Sequence, residues 1–110
     1  MEKVKFKELK LLYLFNNNIS DISVLEDVKF EKLEILYLRN NKISNNINIL
    51  KNVNFKELKE LDLSNNDISD ISVLEKVKFE KLEKCNLERN YIDKNEYSSI
   101  INNLNYKIIF

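Results

Sequence analysis

Apolar residues recur along this chain in a fixed figure. Leu9, Leu12, Leu14, Ile19, Ile22, Leu25, Val28 and Phe30 form one copy, with Asn17 set among them. The same places are filled by Leu33, Leu36, Leu38, Asn41, Ile43, Ile47, Leu50, Val53 and Phe55. They are filled again by Leu58, Leu61, Leu63, Asn66, Ile68, Ile71, Leu74, Val77 and Phe79. A fourth copy opens with Leu82, Cys85, Leu87, Asn90 and Ile92, and then breaks off. Phe6, Phe30, Phe55 and Phe79 are spaced by 24, 25 and 24 residues; the extra one lies between Ile43 and Ile47, where SNNI replaces SDI. A unit this short cannot bury its own apolar face, so it must stack on copies of itself as a solenoid.

Each L-x-L pair predicts a short strand, because alternation puts both leucines on one face and the residue between them on the other. Stacked strands make a parallel sheet with neighbours about 4.8 Å apart. The asparagine after each strand can accept and donate at once, and so can satisfy backbone groups left bare where the chain turns. On the return path, Ser23-Val-Leu-Glu26 and Ser72-Val-Leu-Glu75 have the form of helix capping boxes. Asn48-Ile-Leu-Lys51 lacks that form, so the middle copy is expected to start its helical turn less cleanly. The recurring phenylalanines should pack on one another as a spine. Beyond Ile92, Asp93-Lys-Asn-Glu96 is a further capping box, and Tyr97, Ile100, Ile101 and Leu104 fall on one helical face. A terminal helix there would shield the open end of the stack, with YKIIF (Tyr106 to Phe110) running on as an extended segment.

The motif L-x-x-L-x-L-x-x-N-x-I, in four aligned copies, resembles the leucine-rich repeat family. It lies nearest the internalin-like and phosphatase-regulator-like branch, in which isoleucine follows the asparagine. The resemblance implies an α/β leucine-rich repeat solenoid, with a single curved parallel sheet on the concave side, short helical turns on the convex side and a C-terminal helical cap. The chain divides as one domain, 1–110: half-repeat 1–8, repeats 9–32, 33–57 and 58–81, partial repeat 82–92, and cap 93–110. Because it opens in the second half of a repeat, a segment trimmed from a longer array is the favoured expectation. In the family the column Asn17, Asn41, Asn66 and Asn90 is structural. The family resemblance also implies a non-catalytic module that binds a protein on its concave sheet.

Composition narrows the function. Lys plus Arg and Asp plus Glu are both 18, so the net charge is zero. Charges are interspersed, and no concentrated basic face invites nucleic acid or an anionic membrane. No apolar run approaches membrane-spanning length, and MEKVKFKELK has charges where a signal peptide needs an apolar core. Cys85 is the only cysteine, which excludes an intrachain disulfide and suits a reducing, cytoplasmic setting. Since it takes the place of Leu12, Leu36 and Leu61, it is expected to be a buried small hydrophobe. There is no His and no Gly, hence no Ser-His or Cys-His pairing and no familiar phosphate-cradling loop. No catalytic, cofactor or metal residue is assigned. Asn18-Ile19-Ser20 fits the glycosylation triplet, a chance match in so asparagine-rich a chain. With neither Gly nor Pro, the turns must rely on Asn and Asp.

The informative positions flank the buried leucines. Alternation puts Leu11, Tyr13 and Phe15 on the exposed inner face, then Ile35, Tyr37 and Arg39. Glu60, Asp62 and Ser64 follow, then Lys84, Asn86 and Glu88. Aromatic and aliphatic groups occupy the first half of this face, charges and amides the second. Tyr and Arg are over-represented among residues that carry binding energy. A protein partner is therefore expected here, anchored by Tyr13, Phe15, Tyr37 and Arg39, with Glu60, Asp62 and Lys84 setting charge complementarity. The rivals are a structural array segment that associates end to end, in place of a monomer, and a phosphatase-regulator-like subunit.

Overall fold

The computed structural model describes residues 8–110 and the backbone of Val4–Lys5. Its strands are β1 (Val4–Lys5), β2 (Leu11–Tyr13), β3 (Val28–Lys29), β4 (Ile35–Tyr37), β5 (Glu60–Asp62), β6 (Lys84–Asn86) and β7 (Lys107–Ile109). A five-stranded parallel sheet runs in the order β2-β4-β5-β6-β7, so each coil's strand lies beside that of the next coil. The register is strict: Leu12, Leu36, Leu61, Cys85 and Ile108 form one column. Beyond the strands the ladder goes on, with the N–H of Leu14 donated to Tyr37 O, Leu38 to Asp62 O, Leu63 to Asn86 O and Leu87 to Ile109 O, all at 2.7–2.9 Å.

The core lies behind the sheet. Leu36, Ile43, Leu58, Ile68, Ile71 and Cys85 are fully buried, whereas Leu9, Leu12, Leu14 and Ile19 of the first coil are only partly covered. Burial also pushes the Cys85 thiol up to about 12, as a small apolar side chain in a leucine slot requires. Phe30 and Phe55 lie with ring centroids 6.0 Å apart, while Phe79 packs edge-on against Tyr106 at 5.8 Å. Of the expected aromatic spine, Phe30 and Phe55 therefore meet and Phe79 turns to Tyr106, while Phe6 falls outside the described residues.

Three expectations need correction. The boxes at Ser23 and Ser72 do not form, because each serine is already inside its single 3-10 turn (Ser23–Glu26 and Ser72–Glu75) and the residue at the cap position is an isoleucine, Ile22 or Ile71, with no side-chain bond to offer. The acid two residues upstream does the work: Asp21 Oδ1 accepts the N–H of Ser23, and Asp70 Oδ1 that of Ser72, both at 2.9 Å. Those bonds hold both carboxyls below their usual range. At Asp93 the pattern is alike, Oδ1 accepting from Asn95 N–H at 3.0 Å. The middle copy, expected to start its turn less cleanly, carries the longest 3-10 run among the described residues, Asn45–Asn52, which absorbs the extra residue. Finally, the back of the stack is not wholly helical, since β1 and β3 pair as a second parallel sheet of two strands.

The C-terminal segment holds a short helix, α1 (Ser98–Asn102), with Tyr97 buried at its start and Tyr97 Oη donating to Asp70 Oδ1 at 3.2 Å. The chain then returns to the sheet as β7.

The coils also alternate in charge. Phe-Lys-Glu-Leu in one becomes Phe-Glu-Lys-Leu in the next, so Glu8 meets Lys32 at 3.1 Å and Glu57 meets Lys81 at 2.7 Å. Glu34 and Lys59 likewise meet at 3.4 Å. Exposed pairs of this kind are screened by solvent and add little to stability, so they favour the register more than they hold the fold.

Candidate protein-interaction face

Strict register places the side chains between the leucines in columns. Leu11, Ile35, Glu60, Lys84 and Lys107 form one; Tyr13, Tyr37, Asp62, Asn86 and Ile109 form the next. Phe15, Arg39, Ser64 and Glu88 follow two residues further along each coil. The twelve residues read from alternation therefore occupy equivalent places in successive coils. Lys107 and Ile109 were not among them. Their signal is the alternation within YKIIF, which the lost spacing after Ile92 obscures.

The first half of the face is a shelf of stacked rings. Tyr13 lies on Tyr37 with centroids 4.9 Å apart and planes 12° apart, and Phe15 sits 5.5 Å from Tyr13 and 6.0 Å from Tyr37. The Arg39 guanidinium lies over the Phe15 ring at 4.5 Å, a cation–π contact that fixes its long side chain. Leu11 and Tyr13 are 49 % and 50 % exposed, large values for apolar groups on a strand. Ile35, Phe15 and Tyr37 are half-buried.

The second half is polar and internally bonded. Tyr37 Oη donates to Glu60 Oε2 at 2.7 Å, and Lys84 Nζ lies 3.7 Å from Glu60 Oε1. Hydrogen bonding to the carboxylate, helped by partial burial, raises the Tyr37 phenol to about 12. Asp62 departs from expectation: it is 9 % exposed, nearly as covered as the core, instead of standing free on the surface. Its Oδ1 accepts the N–H of Ser64 at 2.9 Å, and Asn86 Oδ1 accepts that of Glu88 at the same distance. Lys84 and Glu88 are exposed, while Ser64 and Asn86 are half-buried.

Below the face runs the asparagine column. Asn41 Oδ1 accepts from Asn17 N–H and Ile19 N–H at 3.0 Å, and Asn41 Nδ2 donates to Leu14 O, Leu38 O and Arg39 O. Asn66 links Ile43 N–H to Leu38 O, Leu63 O and Ser64 O in the same way. Asn90 repeats it with Ile68 N–H, Leu63 O, Leu87 O and Glu88 O. Asn17 is exposed, and among the described residues its side chain makes no such bonds.

Residues 7–52 match the family model for leucine-rich repeats in two copies, and residues 57–76 match that for a single leucine-rich repeat; together they span more than half of the chain. The chain belongs to the leucine-rich repeat family. No curated protein matches it. Leucine-rich repeat domains generally mediate protein–protein interaction and are typically non-catalytic. In this leucine-rich repeat chain β6 and β7 extend the repeat geometry past the matched residues. Among the described residues no group of three or more His, Cys, Asp or Glu is placed to hold a metal ion, and no helix is long and apolar enough to cross a membrane.

Proposed function

We propose that this leucine-rich repeat domain is a non-catalytic protein-interaction module whose partner binds the sheet face, the concave side of the solenoid. The observation that carries this reading is the stack of Tyr13, Phe15 and Tyr37 with Arg39 over it, packed ring on ring and partly open to solvent. Aromatic and arginine side chains held in this way lose little freedom on binding and are typical anchors. The partner is a protein, and neither nucleic acid nor a membrane is invoked, a choice supported by zero net charge and paired surface ions. Residues 93–110 serve as the cap, supported by the packing of Tyr97 and α1 against the third 3-10 turn. A cytoplasmic setting is supported by the lone, fully buried thiol of Cys85.

The test uses a partner captured by the wild-type chain and then purified. Tyr13→Ala and Tyr37→Ala should each weaken it by more than about 1 kcal/mol in isothermal titration. Unchanged affinity for both variants discards the reading. A second reading is self-association, favoured by β2 as an edge strand of the five-stranded sheet carrying half-exposed Leu11 and Tyr13. Light scattering over a concentration series separates the two, since a constant monomer mass excludes stacking.

A further inference from the structure

The polar half of the sheet face carries one charge for which the fold has no use. Asp62 closes the turn after β5 by accepting the Ser64 N–H through Oδ1. One coil on, Asn86 stands in the same column and closes the same turn through the same bond to Glu88 N–H. A neutral amide therefore meets the needs of this backbone as well as a carboxylate does. A carboxylate held at 9 % exposure, by contrast, keeps only a narrow opening to water and gains from a cation brought to that opening. Among the described residues Asp62 forms no ion pair. The neighbouring cations are engaged elsewhere, Lys84 with Glu60 and Arg39 over Phe15.

Asp62 also lines a hollow of about 70 Å³, walled by Tyr37, Glu60, Lys84, Asn86 and Ile109. That space is the size of an amine or guanidine head, since one water occupies about 30 Å³. Tyr37 forms the boundary between the hollow and the aromatic shelf, and its hydroxyl is committed to Glu60. An apolar shelf and an under-paired carboxylate thus adjoin, one strand apart.

We propose that this hollow receives the basic side chain, lysine or arginine, of a partner segment whose neighbouring apolar residue covers Tyr13 and Tyr37. The inference rests on the sheet-face reading above and names the chemistry that the face selects. Asp62 supplies the charge, Glu60 reinforces it, and the rings exclude water from one side of the pair.

Panning the full chain against random peptides, followed by fluorescence anisotropy with synthetic copies of the selected ones, tests this. Selected peptides should carry Lys or Arg beside an aliphatic or aromatic residue. Asp62→Asn keeps the turn bond that Asn86 exemplifies, so it should melt like wild type yet bind these peptides about tenfold or more weakly. Replacing the peptide's basic residue by norleucine should give a similar loss, with no further loss on Asp62→Asn. Selection without basic enrichment, selection of no binder, or equal binding to Asp62→Asn overturns the proposal. Peptides lost on a Tyr13→Ala/Tyr37→Ala double variant but kept by Asp62→Asn discard the cation site and leave the sheet-face reading standing. Peptides kept by both variants discard both.

Discussion

Among the described residues five have left-handed backbone, Asn16, Asn18, Asn40, Asn65 and Arg89, with φ between 53° and 59°. Asn16, Asn40, Asn65 and Arg89 occupy one column, the turn that follows each strand. Asparagine tolerates this region because its short amide can bond locally, whereas a longer residue meets the full clash of Cβ with the carbonyl, about 1–2 kcal/mol. The absence of Gly and Pro made asparagine turns legible in advance, but a positive φ at arginine is visible only once the column is aligned in space. Arg89→Asn should therefore raise stability by about 0.5–1 kcal/mol in urea unfolding. A fall in stability would mean that the arginine earns its place through its side chain. A second residue-scale outcome concerns Tyr37, whose phenol is raised from 10.0 to about 12 chiefly by its bond to Glu60. The folded state holds this proton more tightly than the unfolded state, so the stabilisation is complete below pH 10 and is lost as pH rises toward 12. Carbon-13 NMR of the tyrosine ring should show Tyr37 titrating near 12, and Glu60→Ala should bring it back toward 10. A Tyr37 midpoint that Glu60→Ala leaves unmoved contradicts the bond.

Elements are joined by the asparagine column more than by any helix. Asn66 is buried and bonds four backbone groups drawn from two coils, whereas Asn17 is exposed at the end of the series. Removing a buried partner leaves donors and acceptors unsatisfied at about 1–3 kcal/mol each. Asn66→Ala should thus cost about 2–4 kcal/mol, allowing for partial relaxation, and Asn17→Ala no more than about 0.5 kcal/mol. Equal losses in urea unfolding would show that the column is not what ties coil to coil. The strands and this column were legible because both follow from spacing alone: alternation fixes faces, and a recurring amide fixes a turn. The helical turns were less so. Ser-x-x-Glu predicts a capping box only when serine lies outside the helix, and here an aspartate two residues upstream meets the backbone first. The burial of Asp62 was illegible for a related reason. Alternation tells which face a side chain takes, while coverage on that face depends on what stands around it, here Tyr37 on the adjacent β4 and Ile109 two strands away on β7.

At the scale of the whole molecule, the stack is close to one-dimensional: each coil touches its neighbours, and stability is a sum of coil and interface contributions. Coverage is uneven along that line. Leu36, Leu38, Leu61 and Leu63 are sealed on both sides, but Leu12, Leu14 and Ile19 in the first coil are only partly buried. Burying a leucine fully contributes about 1.5–3 kcal/mol over leaving it exposed, so the first coil has the smaller share. Among the described residues its asparagine, Asn17, also makes none of the side-chain bonds that Asn41 and Asn66 make. Opening should therefore begin at β2 and reach β4 and β5 last, with local free energies below the global value. Hydrogen exchange followed by NMR should find Leu14 N–H, which pairs with Tyr37 O, exchanging well before Leu38 N–H and Leu63 N–H, although all three bonds are 2.8–2.9 Å long. Bond length then cannot explain the order, and burial of the coil behind each bond can. A single exchange free energy shared by all three amides would show instead that the domain opens as one unit. The aromatic shelf spans the junction between the first coil and the second, so a partner seated on Tyr13 and Tyr37 should slow exchange at Leu14 more than at Leu63.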